Sequence, residues 1–99
     1  MIPGDMARAI FNEQVVAESD ETVVVEGNHY FPLSSLAMEF FQDSPQSSVC
    51  HWKGTASYYD VVVDGEVARG AAWYYADPSD RAAQIKGHVG FWMGVRVES

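Results

Sequence analysis

The chain is short of cysteine, of cations and of long apolar runs, and each shortage removes a class of function. One cysteine, Cys50, in 99 residues allows no intramolecular disulfide, which fits a reducing compartment. Six Lys and Arg residues stand against fourteen Asp and Glu, for a net charge of −8. The six are scattered as Arg8, Lys53, Arg69, Arg81, Lys86 and Arg96. Phosphate backbones require clustered cations, so we expect no nucleic-acid partner. The longest aliphatic runs, Val23-Val24-Val25 and Val61-Val62-Val63, cannot span a bilayer, and no membrane partner is expected. No basic-then-apolar start resembles a signal peptide, and residues 1–5 read as a loose tail ahead of a single β-rich domain over 6–99. The expected localisation is cytoplasmic. The sequence carries no sign of oligomeric state.

What is present is apolar spacing near 2, filled by β-branched and aromatic residues. Strands are expected at Met6–Phe11, Gln14–Glu18, Thr22–Glu26 and His29–Phe31, with the third closed by Gly27-Asn28. Leu33–Phe41 has the only helical spacing and predicts one short helix after Pro32. Gln42–Ser48 reads as a polar loop around Pro45. Thr55–Val63 and Glu66–Tyr75 flank Asp64-Gly65, the strongest hairpin signal. Asp77-Pro78-Ser79-Asp80 predicts a turn that opens one helical turn through Ala83. His88–Trp92 and Val95–Val97 are expected to form a last hairpin around Met93-Gly94. Val-Val-Val-acid-Gly occurs twice, and two strands ending in similar turns explain it more simply than duplication. The fold class is mainly β: two small antiparallel sheets packed as a sandwich or partial barrel, with one short helix.

Aromatics come as adjacent pairs: Tyr30-Phe31, Phe40-Phe41, Tyr58-Tyr59, Tyr74-Tyr75 and Phe91-Trp92. Neighbours in a strand point to opposite faces, so one core face cannot bury both. Either the sheets are covered on both sides, or one face presents aromatics to a groove.

Four blocks, Tyr30-Phe31-Pro32, Cys50-His51-Trp52-Lys53-Gly54, Ala72-Trp73-Tyr74-Tyr75 and Ile85-Lys86-Gly87-His88-Val89-Gly90-Phe91, resemble the signature segments of the domain of unknown function family 427, a small bacterial β-rich family. The resemblance covers nearly the whole chain. In this chain His51 stands where the family usually has proline between Cys and Trp, and Ala76 precedes Asp77-Pro78. The resemblance implies a small β-rich fold and no known activity. A nucleotidyltransferase-like label attaches to such proteins, but no motif here carries that chemistry.

Several constellations bear on chemistry. His29, Cys50, His51 and His88 offer metal donors, but adjacent Cys50 and His51 diverge in an extended segment and no Cys-x-x-Cys pair occurs, so no metal is expected. No motif calls for a cofactor. Cys50 and Lys53 are the weak catalytic candidates, as a thiol beside cations and as a group for phosphoryl or nucleotidyl chemistry. Lys53-Gly54-Thr55 echoes the end of a P-loop without its upstream glycine. A two-residue turn at Asp64-Gly65 would set Val63 opposite Glu66, Asp60 opposite Arg69 and Ala56 opposite Trp73. That register gathers Tyr58, Asp60, Arg69, Trp73 and Tyr75 on one face, with a bulge at Arg69-Gly70 as the feature that would move Trp73 and Tyr75 across. The expected ligand-binding residues are Trp52, Lys53, Tyr58, Trp73, Tyr75 and Lys86, with a lysine meeting an anionic group and the rings holding a planar body. The leading expectation is therefore a small-molecule-binding domain. The alternatives are an enzyme using Cys50 or Lys53, and a protein-interaction module.

Overall fold

The computed structural model describes residues 6–99; the expected tail at residues 1–5 lies outside them. Nine strands run β1 (Ala7–Phe11), β2 (Gln14–Ser19), β3 (Val23–Val25), β4 (Asn28–Pro32), β5 (Phe41–Cys50), β6 (Gly54–Val63), β7 (Glu66–Tyr75), β8 (His88–Phe91) and β9 (Arg96–Glu98). They form a three-stranded sheet, β2-β1-β9, and a six-stranded one, β3-β4-β8-β7-β6-β5. Every pairing is antiparallel.

Turn chemistry fixes the local pairs. Asn12-Glu13, Glu26-Gly27 and Asp64-Gly65 all take positive φ at both positions, the mirror-image turn whose twist matches a hairpin. The second turn is one residue earlier than expected, because Val25 pairs with Asn28. The repeated Val-Val-Val-acid-Gly is thus two copies of one turn solution, with φ of 55° and 81° at Glu26-Gly27 and 50° and 81° at Asp64-Gly65.

Three of the expected segments need correction. Leu33–Phe41 is not a helix. Two 3₁₀ turns, Leu33–Ser35 and Met38–Phe40, are separated by extended backbone at Leu36. Tertiary contacts claim that midpoint: Leu36 is buried and bridges Ala17, and the Ala37 N–H donates to the Val16 carbonyl at 2.8 Å. Gln42–Ser48 is not a loop but the body of β5, an edge strand. An edge tolerates polar side chains on both faces, and Pro45 sits in the irregularity between Ser44 and Ser47 where no ladder bond is required of it. The last two strands do not form a hairpin. Both sides of β8 are taken by β4 and β7, so the chain turns at Met93-Gly94 and β9 joins β1 in the other sheet.

The sheets pack over one apolar layer. Ala7, Ala9 and Ala17 from the small sheet are fully or almost fully buried and leave room for Phe31 and Phe91, whose rings meet edge to face at 5.4 Å. Small against large lets the sheets close.

The central hairpin holds its expected start and then slips. Val63 opposes Glu66 and Val61 opposes Ala68, but beyond Asp60 the pairs are Tyr59–Ala72, Tyr58–Trp73 and Ala56–Tyr75. Arg69, Gly70 and Ala71 are taken up opposite Asp60, with Gly70 at φ 62° donating its N–H to Asp60 Oδ1 at 2.7 Å. Asp60 and Arg69 are therefore not register partners; the Arg69 guanidinium stays exposed, 3.9 Å from the carboxylate. Ala56 faces Tyr75, not Trp73. The slip is by two residues, the side-chain period of a strand, so Trp73 and Tyr75 keep the face of Tyr58.

Candidate functional site

That outer face carries a second apolar cluster: Val25, Tyr30, Ala56, Tyr75, Ala82 and Ile85, with Cys50, Trp52, Tyr58 and Trp73 packed against it. The 3₁₀ segment Asp80–Ile85 covers one part of the face, laying Ala82 and Ile85 over it. Beside this cover a cavity of about 270 Å³ remains, walled by Tyr30, Tyr58, Trp73, Tyr75 and Trp92. Its other lining groups are Glu26, Asn28 and Lys53.

Each wall has a local cause. Trp73 opposes Gly90 in the register, and a Cβ there would sit 2.7 Å from the indole, so only glycine lets the ring lie against the β8 backbone. The Trp73 ring is edge-on to Tyr30 at 5.9 Å and to Trp92 at 5.7 Å, and its Nε1–H donates to the Tyr30 hydroxyl at 3.2 Å. Trp92 is half exposed and tethered by its Nε1–H to the Gly70 carbonyl at 2.7 Å, so the bulge also sets this wall. The Tyr58 hydroxyl is bonded to Ser48 at 2.7 Å.

Among the described residues Lys53 is the buried charge, 6% exposed. It reaches the cavity from the turn between β5 and β6. That turn is braced from outside: the Ser79 N–H donates to the Lys53 carbonyl at 2.9 Å and the Ser79 hydroxyl donates to the Trp52 carbonyl. Gly54, at φ 118°, admits the brace, since a Cβ would meet the Asp77 carbonyl at 3.3 Å. The Lys53 ammonium pairs with Glu26 and lies 4.9 Å from the Trp52 ring centre and 5.9 Å from that of Tyr75. Burial is the largest single influence and works against its charge, but the Glu26 carboxylate together with Tyr75, Cys50 and Tyr30 outweighs it, and the ammonium is held above its ordinary pKa. Glu26 is pulled below the usual range by its bond to Lys53, against some desolvation, and Trp52 Nε1 adds a 3.4 Å contact to the second oxygen. Burial pushes Tyr75 up to about 12. The Cys50 thiol is pulled down by the backbone N–H groups of Trp52 and Lys53, with the Lys53 charge a smaller contribution.

Of the residues expected from sequence, Lys53, Tyr58, Trp73 and Tyr75 converge on the cavity. Trp52 does not line the cavity; its ring centre lies 4.9 Å from the Lys53 ammonium and 5.7 Å from the Arg81 guanidinium. Lys86 is exposed at the end of the 3₁₀ segment and does not line the cavity. Cys50 is partly exposed in the outer cluster and is also outside the lining. Lys53-Gly54-Thr55 leads into a strand rather than the helix a phosphate loop requires. His29 is bonded to Thr22 and His88 to the Lys86 carbonyl. Among the described residues no group of three His, Cys, Asp or Glu side chains is placed to hold a metal ion, and no helix is long and apolar enough to cross a membrane.

Sequence reasoning missed Glu26, Asn28, Tyr30 and Trp92. Glu26 had a signal: an acidic residue before glycine at the end of a valine run, the same turn that marked Asp64-Gly65. Tyr30 and Trp92 are the outward members of two adjacent aromatic pairs. In sequence comparisons, the model of a family described as "Domain of unknown function (DUF427)" matches residues 4–99. No curated protein matches the chain.

Proposed function

From the premise that this chain belongs to the DUF427 family, whose function is unknown, we propose that it is a small-molecule-binding domain whose ligand occupies the aromatic cavity beside the Cys50–Gly54 turn. The supporting observation is the cavity itself: five aromatic walls beside a buried ammonium and its half-exposed carboxylate partner, on a sheet face partly covered by Ala82 and Ile85. Apolar rings with a few convergent polar groups are the composition of ligand pockets. At about 270 Å³ the space equals roughly nine water volumes, which suits a single ring with its substituents.

The catalytic alternatives find less support. Lys53 is engaged by Glu26, and Cys50 has only the Lys53 charge and backbone N–H groups acting to lower its pKa. The experiment is a thermal-shift screen of small metabolites on the wild type and on Trp73→Ala. A ligand present at a hundred times its Kd stabilises by about 2.7 kcal/mol, which for a domain of this size raises Tm by the order of 10 °C. The shift is expected to vanish in Trp73→Ala. Hits that shift both proteins equally would place binding elsewhere and end this reading.

A further inference from the structure

The charges that line the cavity are Lys53 and Glu26, and they cancel. Their arrangement is fixed by two separate turns. Glu26 occupies the first position of the β3–β4 turn at φ 55°, a conformation that favours glycine or asparagine over glutamate, and Val25–Asn28 pairing locks that turn. Lys53 rises from the braced β5–β6 turn on the other side. The ammonium has donors to spare beyond the one that meets Glu26, and the half-exposed carboxylate has acceptor positions to spare beyond Lys53 and Trp52. A donor and an acceptor therefore stand side by side at the wall of an aromatic chamber, with the Asn28 amide nearby.

Charge decides what can use them. An anion that takes a spare donor of Lys53 lies beside the Glu26 carboxylate, a like charge, inside the field of a chain of net charge −8. A cation attracted to Glu26 meets the buried Lys53 ammonium. A neutral group carrying a carbonyl next to an N–H meets neither penalty: the carbonyl accepts from Lys53 and the N–H donates to Glu26. The walls suit a compact ring, since Trp73 stands nearly perpendicular to both Tyr30 (89°) and Trp92 (73°), giving one surface to stack on and edges to close around it.

Building on the small-molecule reading above, we infer that the cavity selects uncharged rings bearing an amide or lactam edge, and discriminates against carboxylates, phosphates and organic cations of the same shape. Three isosteres test this on the intact protein: benzamide, benzoate and benzamidinium share one ring and differ in charge. Binding is read by tryptophan fluorescence and by amide chemical shifts of Trp73, Gly90 and Trp92. Benzamide is expected to bind at least about tenfold tighter than either isostere. In Glu26→Gln, which removes an exposed carboxylate from a turn and leaves the core untouched, Lys53 is released and the order between benzamide and benzoate should reverse. Tighter binding of benzoate or benzamidinium to the wild type would overturn the inference while leaving the ligand cavity standing. Failure of all three to perturb those residues at millimolar concentration would overturn both. Retention of the benzamide preference in Glu26→Gln would show that Glu26 is not the selector.

Discussion

The two faces of the six-stranded sheet are built from the same strands and share the adjacent aromatic pairs between them, yet they end differently. Inward members such as Phe31 and Phe91 meet a second sheet made small by alanines, and their rings are buried. Outward members such as Tyr30, Tyr75 and Trp92 meet only a short 3₁₀ segment and a braced turn, and a cavity remains. The inner layer holds no charged residue among its buried members, whereas the outer face buries an ammonium and gives it a carboxylate. A closed face contributes stability through area and packing alone. An open face of the same composition keeps polar groups solvated enough to bind something, and loses packing in return.

The sharpest way to break that contrast is to remove one ring from each side. Phe31→Ala deletes a fully buried ring between the sheets and should cost about 3–5 kcal/mol in urea unfolding. Trp73→Ala deletes a half-buried ring that borders open space and should cost about 2 kcal/mol, because less contact is lost and the site is already partly void. Equal losses would mean that Trp73 is a core residue and that the cavity is incidental.

A smaller effect comes from titration of the outer face, and its sign follows from the shifts. Glu26 titrates lower in the folded chain than when unfolded, so the unfolded state binds more protons in that window. The contribution of the Lys53 pair is present above the unfolded value of about 4.3 and is lost as pH falls through the folded value. At the alkaline end Tyr75 titrates higher when folded, at about 12. Its contribution is present below roughly pH 10 and is lost as pH rises toward the folded value. The slope of Tm against pH below about pH 4.3 should flatten in Glu26→Gln, and the alkaline slope should flatten in Tyr75→Phe. Unchanged slopes in both variants would show that neither group is electrostatically special.

The smallest effect sharpens the register. Arg69 is exposed and 3.9 Å from Asp60, so Arg69→Ala should alter stability by less than about 0.5 kcal/mol. Asp60 instead caps the Gly70 N–H at the slip in the hairpin, and its loss should register where that of Arg69 does not.

Local chemistry alone determined a good deal of this protein. Asp64-Gly65 announced the central hairpin, period-2 patterning announced the strands, and paired aromatics announced that a sheet would either be covered on both faces or present one face to a groove. The gathering of Tyr58, Trp73 and Tyr75 was legible for the same reason: a strand alternates faces, and a two-residue slip preserves the alternation. What the sequence left open depended on partners far along the chain. Leu33–Phe41 has helical spacing, but Leu36 is captured by β2; Gln42–Ser48 reads as a loop until β6 offers an edge; Val95–Val97 pairs with β1 because β8 has no free side. Lys53 could be named from a motif, but its partner lies in a different turn, 27 residues away. Local rules fix the conformation of a segment. Which segment covers which face, and which charge meets which, is decided only when the sheets pack and distant turns come to share one wall.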